Sequence, residues 1–436
     1  MENVSVDTHR KFLKINFFVL RYSGIWPLLP SAKIGWKILN IIYKYLNLIA
    51  YIFYLITVGA DALTNVTDLT IFGCDGCFFF GTCMMVYKSY KFSVRQKEIT
   101  KFTDEIYGPI DILLQSSDRG IMINIKRQLF YETIQLYSLY ISIVITTFAL
   151  IFLVPREKGL LPIRAIYPFD TTVSPNYELT IFYQFYCVAY ILMMAVTVDS
   201  TTIGLMRWLT IQVLALTNNY KNCDSKLTKR AGLISPDESY RTFAEINLLK
   251  IKDQENLICK FLAFEEQEIK DCNDNFTGRF KTCIRNYERI RKIVNNFNTT
   301  FSIFLLIQFA TSLLIICLNG FMILLNANSA ANSMRFGLYL FMSFAELLIY
   351  CFYGNQFTSM ADTLTHNQWM SGWECAYERN YNNELSNLVT TSMMPTLKPL
   401  QFKAGGMFAL SMPTFLAIVK SSYSTLVLLT TVVADE

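Results

Sequence analysis

"LAIVKSSYSTLVLLTTVV", Leu416 to Val433, is the stretch that decides the fold. Its length suits one bilayer crossing, which takes about 20 mostly apolar residues as a helix. Its middle carries Lys420 and then five consecutive hydroxyl side chains, Ser421, Ser422, Tyr423, Ser424 and Thr425. Polar groups at membrane depth are costly against lipid. The belt therefore calls for a wet or protein-packed face on this helix.

The rest of the chain has the same bias. Of 436 residues, 53% are hydrophobic and 17% charged, against about 25% charged in a soluble globular chain. Seven apolar segments can be read: Ile38 to Ala60, Leu69 to Tyr87, Thr133 to Val154, Leu179 to about Thr217, Phe297 to Leu325, Phe336 to Ala361 and Met407 to Val433. The fourth runs on past Asp199 and Arg207, beyond one crossing, so its lower end should project into water. We expect an all-α membrane protein, a single seven-helix domain over residues 1–436. The net charge of +5 is modest, and no basic cluster is interleaved with a base-stacking signature, so nucleic acid is not an expected partner. Eleven scattered cysteines suit small hydrophobic filling better than a disulfide framework. The N-terminal stretch does not read as a signal peptide, so the first membrane helix should direct insertion itself.

Orientation follows from Lys and Arg in the connections. The arm before the first span has Arg10, Lys11, Lys14, Arg21, Lys33 and Lys37. The connection after the second has Lys88, Lys91, Arg95, Lys97, Lys101, Arg119, Lys126 and Arg127, and the stretch from Lys221 to Lys292 is richer still. Asp61 to Asp68 and Asn326 to Met334 have none; Arg156, Lys158 and Arg164 in the third connection break the pattern. The N-terminus is therefore expected in the cytosol and the C-terminus outside. "LICKFLAFEEQEIKDC" and "CIRNYERIRKIVNNF" carry apolar residues at helical spacing, Leu257, Phe261 and Phe264, then Ile284, Tyr287, Ile290, Val294 and Phe297. Helices 4–7 are thus expected to extend into a cytosolic helical anchor layer, from about 200–296 and 362–406.

Little in the sequence points to enzyme chemistry. "GCDGC", Gly73 to Cys77, falls in a membrane helix, where two packed cysteines are the simpler reading. With two histidines, His9 and His366, and no paired metal-binding spacing, neither metal nor cofactor is expected. Nucleotide and acyl-transfer motifs are missing as well. Intramembrane charges carry more signal: Asp75 in the outer half of the second span, Glu346 in the sixth, Lys420 in the seventh. The outer halves of spans 2, 3, 4 and 6 gather Phe72, Asp75 and Phe79; Thr146, Thr147 and Leu150; Tyr183, Tyr186 and Tyr190; and Phe336, Tyr339 and Leu340. An apolar aromatic cavity with a few hydroxyls suits a small hydrophobic ligand, and ordinary helix packing is the competing reading of each residue.

At the C-terminus the residues become specific. "KAGGMFALSMPTFLAIVKSSYSTLVLL", Lys403 to Leu429, resembles the last helix of insect odorant receptors, with Gly405 or Gly406, Phe408, Leu410-Ser411, Thr414-Phe415, Ser422-Tyr423-Ser424 and Leu428-Leu429 in the family's pattern. "YCFYGNQFTSMADTL", Tyr350 to Leu364, followed by Trp369, resembles the family's sixth helix. The resemblance implies the odorant-binding, tuning subunit of a heteromeric ligand-gated non-selective cation channel. It would be multi-pass in the plasma membrane of an olfactory neuron dendrite, with odorant co-receptor subunits, a small volatile organic ligand and membrane lipid as partners. It also implies a central pore lined by the seventh helix, with Leu426 and Thr430 at the constriction; Ser422 and Leu429 share their stripe. A G-protein-coupled receptor would place Asp118-Arg119 at the end of span 3 and an Asn-Pro-x-x-Tyr in span 7, and neither holds. A transporter would show repeat symmetry. A gustatory receptor of the same superfamily would show Gln-Phe where Leu429 and Thr430 stand.

Overall fold

Hydrocarbon offers no partner to a backbone N–H or C=O, so an apolar run must bond internally as a helix or close into a barrel. The computed structural model describes residues 10–28, 32–66, 69–152, 161–248, 257–270, 274–325, 330–380 and 383–434. The elements are α1 (Lys11–Tyr22), α2 (Ile34–Thr64), α3 (Leu69–Val94), α4 (Gln96–Leu114), α5 (Arg119–Phe152), α6 (Asn176–Lys221) and α7 (Pro236–Leu248). They continue with α8 (Glu266–Lys270), α9 (Phe276–Leu325), α10 (Ala330–Trp369), α11 (Trp373–Asn380), α12 (Asn383–Met393), a short hairpin of β1 (Lys403–Ala404) and β2 (Phe408–Ala409), and α13 (Met412–Ala434).

Among the described residues six helices, α2, α5, α6, α9, α10 and α13, are long and apolar enough to cross a membrane. The seventh apolar helix is α3, whose 26 residues include Asp75, Lys88 and Lys91. It packs against α2, α6 and α9, so its polar groups meet protein. The connection after the second span is helical over most of its length. α3 continues to Val94, α4 follows after Arg95, and α5 starts at Arg119 rather than Thr133. Val154, Arg156 and Lys158 lie outside the described residues, as does the N-terminal His9.

Length sets the architecture. α6, α9 and α10 have 46, 50 and 40 residues. At 1.5 Å per residue they are about 69, 75 and 60 Å long, against a hydrocarbon core of about 30 Å. The C-terminal parts of α6 and α10 and the N-terminal part of α9 form a second helical layer. Burial marks the change along α6: Leu179 and Phe182 are 63% and 73% exposed, whereas Arg207, Trp208, Leu209, Val213, Leu216 and Tyr220 are buried. Around them pack Ile99, Phe102, Ile106 and Ile110 of α4, Val389 of α12, Phe402, and the α9 stripe Tyr287, Ile290, Val294 and Phe297, with Ile284 half-buried at its edge.

The Leu257–Phe264 stripe is not helical. Phe261 N–H donates to Lys229 O (3.1 Å) and Phe261 O accepts from Ala231 N–H (2.8 Å). Asn219 brackets Leu262, giving to its carbonyl and accepting from its N–H, both at 2.7 Å. Asp118 caps α5 through Oδ1 (Ile121 N–H, 3.1 Å), and its Oδ2 accepts from Cys259 and Lys260 N–H (2.9 and 3.0 Å). The extended backbone is thus paired without a helix, and Phe261 and Phe264 are still buried. The strand passes directly over Gly120, where a Cβ would lie 2.0 Å from Leu257 O.

The motif before α13 also has a physical reading. Gly405 and Gly406, at φ 61° and 72°, make the turn of the hairpin. Asn298 of α9 clamps it by donating to Gln401 O and accepting from Lys403 N–H, each 2.9 Å. Ser411 then opens the helix, its carbonyl accepting from Phe415 N–H (3.0 Å) while its hydroxyl meets Thr414 Oγ1 (3.0 Å). Phe415 sits edge-on to Phe344 of α10 with ring centroids 5.0 Å apart. The helix therefore begins at Met412, later than Met407, because the glycine turn and the Ser411 cap come first.

Candidate functional site

The bundle holds a partly open cavity of about 410 Å³ lined by α3, α5, α6, α9 and α10, with Tyr54 of α2 at its edge. α3 contributes Cys77, Phe78, Gly81, Thr82 and Met85; α5 contributes Ser138, Leu139, Ser142 and Ile143; α6 contributes Val188, Ile191, Ala195 and Asp199. α9 adds Ile315 and Asn319, and α10 adds Tyr339, Met342, Ser343 and Glu346. Apolar walls with a few convergent polar groups are the character of a small-molecule site.

Asp199 and Glu346 belong to an ion cluster that ties three helices together. Lys88 of α3 donates to Asp199 Oδ1 of α6 at 2.7 Å and to Glu346 Oε1 of α10 at 2.9 Å. Tyr350 adds its hydroxyl to Asp199 Oδ1 at 2.8 Å. Lys88 is 1% exposed, and its ammonium also lies 5.1 Å from the Phe304 ring centroid. Charges in hydrocarbon persist only when paired and hydrogen-bonded; here one ammonium serves two carboxylates. A span ending at Tyr87 hid this cluster, since it placed Lys88 in water. The signal in the sequence was the acids Asp199 and Glu346 in apolar runs without an assigned basic partner.

The twelve expected ligand residues fall on the expected helices but separate in space. Tyr339 lines the cavity and meets Phe78 edge-on, centroids 5.3 Å apart. The three tyrosines of α6 point to α2 and its lead-in: Tyr183 donates to Ala50 O, Tyr186 to Asn47 Oδ1 and Tyr190 to Ser23 O. Phe79 abuts Gly59 of α2, and Phe336 packs with Phe321, Met322, Leu426 and Leu429. Asp75 is fully buried, Thr146 is buried, Phe72 and Thr147 are half-buried, Leu340 packs on the main core, and none of these lines the cavity. The Leu150 side chain lies outside the described residues. On α5 the cavity lies one turn nearer the second layer, at Ser142 rather than Thr146, whereas Phe79, Tyr190 and Leu340 stand at its height and face other partners.

α13 has a covered and an open side. Ser422 is 2% exposed, donates to Ile418 O (2.9 Å) and faces Leu313 of α9, so it is a packing hydroxyl of its own chain. Leu426 meets Gly320 of α9, and with Leu429 and Thr430 it is half-buried. Lys420, Ser424, Leu428 and Thr431 are exposed on the opposite side.

This arrangement, a bundle of apolar helices with a second helical layer and a pocket among the helices, is that of a multi-pass membrane protein. A family model described as 7tm Odorant receptor matches residues 69–423, and the chain belongs to that family. It is 30% identical to odorant receptor 94a of Drosophila melanogaster over 180 residues, 40% of this chain and 45% of that one. Odorant receptor 33b of the same fly is 30% identical over 141 residues, 32% of this chain and 36% of that one. Each aligned stretch thus spans less than half the length of the relative. The fold is similar to that of the olfactory receptor OR5 of Machilis hrabei in complex with eugenol, with TM-score 0.73 at 15% identity, over 98% of this chain and 100% of that one. The structure of OR5 described without eugenol gives TM-score 0.72 over 96% of this chain and 97% of that one.

Proposed function

We propose that this chain is the odorant-binding subunit of a heteromeric ligand-gated non-selective cation channel. A small hydrophobic volatile occupies the 410 Å³ cavity, and its binding opens a central pore lined by α13. The observation that carries the reading is this largely apolar cavity in a member of the odorant receptor family. Eugenol, bound by the similarly folded OR5, is a ligand of the expected size and polarity class.

The N-terminus and the anchor layer lie in the cytosol, supported by the Lys and Arg excess of the segments that build that end. The open side of α13 favours the pore. Lys420, Ser424 and Thr431 on one uncovered side are poorly matched to lipid and well matched to water or to other subunits. Leu426 and Thr430 stand at the margin of that side and form this chain's part of an apolar constriction that gates by dewetting. Co-receptor subunits complete the ring, and the dendritic plasma membrane of an olfactory neuron is its location. The test is whole-cell current from cells expressing the chain with and without a co-receptor, across a panel of volatiles. Odorant-evoked cation current that requires both chains supports the reading; its absence for every volatile tested, with both chains at the surface, contradicts it.

A further inference from the structure

The cavity wall carries two carboxylates and a buried amide oxygen, beside the hydroxyls of Tyr54 and Tyr339. Glu346 gives one oxygen to Lys88, while its side chain remains 24% exposed and lines the cavity. Asp199 lines it too and shares the same ammonium. One positive charge faces two carboxylates, and among the described residues no Lys, Arg or His lines the cavity. An independent acceptor lies on the α9 wall. Asn319 is fully buried, its amide nitrogen is committed to Ile315 O at 2.8 Å, and its Oδ1 has no hydrogen-bond partner. A buried acceptor without a donor is costly, so a wall of this kind is completed by a ligand that donates.

We propose, building on the reading of this cavity as the odorant site, that it selects small organic amines. The ammonium lies against the Glu346 and Asp199 carboxylates and the apolar body lies among Phe78, Leu192 and Ile315. A protonated amine brings several N–H donors and the one positive charge that balances the cluster. The alcohol of the same length brings a single donor and no charge, and in a low-dielectric pocket that difference is amplified.

The test is binding of n-hexylamine and n-hexanol to the full chain in lipid nanodiscs at neutral pH, by titration calorimetry. The amine is expected to bind at least about tenfold more tightly. Glu346→Gln leaves Lys88 and Asp199 as a balanced pair and should bring the ratio close to one. Asn319→Leu, a milder change that keeps the ion cluster, should lower amine affinity by about threefold and leave the alcohol alone. Equal affinities in the unaltered chain overturn the proposal, as does a ratio that neither substitution moves. Ala195→Trp fills the cavity and separates the two readings. Loss of both ligands there places the site in the cavity whatever the amine ratio, whereas undiminished amine binding overturns both the cavity reading and the amine preference.

Discussion

At the residue scale, Lys88 of α3 ties α6 and α10 together through one ammonium. It is buried between two acids of two other helices, so removing it leaves two carboxylates in a low-dielectric site. Breaking one partner of a buried pair costs roughly 3–5 kcal/mol, whereas neutralising the whole set costs far less. Lys88→Met should therefore lower the thermal midpoint of the detergent-solubilised protein sharply, and adding Asp199→Asn with Glu346→Gln should recover most of the loss. A triple variant less stable than Lys88→Met alone would show that the cluster does not act as a unit. A second case at this scale lies in the second helical layer. Arg279, fully buried, donates to Asp274 Oδ1 and Oδ2 at 2.6 and 2.9 Å and to Asn222 and Thr228 carbonyls at 3.1 and 2.9 Å. These bonds hold the Asp274 carboxyl below the usual carboxylate range. Its contribution is therefore present above the unfolded value of about 3.9 and is lost as pH falls through the lower folded value. Asp274→Asn should flatten the fall of thermal stability below about pH 4, by a modest amount because Asp274 is 45% exposed.

At the element scale, α13 combines both readings of its polar belt. Ser422 satisfies its hydroxyl inside the helix and packs on α9; Ser424 and Lys420 point away from the chain. Leu426→Ser is thus expected to raise resting current or alter ion permeability of the assembled channel, because a hydroxyl at the margin of the open side lets water into a constriction. Ser422→Ala should leave permeability unchanged. The reverse pattern, with Ser422→Ala changing permeability and Leu426→Ser silent, would turn α13 around. The helices themselves were legible from the sequence because hydrocarbon thickness imposes a length and a composition. Their ends were not. α3 passes Tyr87 because Lys88 finds its partners in α6 and α10, an interaction over more than a hundred residues that no local window contains. Phe261 and Phe264 are buried without a helix while Leu257 is exposed, since the backbone bonds of this segment are supplied by Asp118 and Asn219, again from distant chain.

At the scale of the whole molecule, three long helices carry the bundle into a second layer, and the cavity lies where α6 and α10 pass from one layer toward the other. Of the expected ligand residues Tyr339 lines this cavity, while Phe79, Tyr190 and Leu340 stand at its height on other helix faces. Period and polarity place a residue on a helix, but which neighbour its face meets depends on packing against distant segments. The α6 tyrosines are drawn aside by carbonyl and amide acceptors of α2 and the Ser23 turn. Topology is a prediction at this scale. A tag before Met1 should be stained only after permeabilisation, and staining of intact cells would invert the whole assignment, placing the anchor outside.

In the proposed function, ligand in the cavity opens a pore made by the receptor itself, with no intermediary. Excised inside-out patches from cells expressing this chain with a co-receptor, perfused without GTP or ATP, test it most directly. Odorant applied to such patches is predicted to evoke cation current comparable to that in intact cells. Loss of the response on excision, with recovery when GTP is returned, would contradict the account.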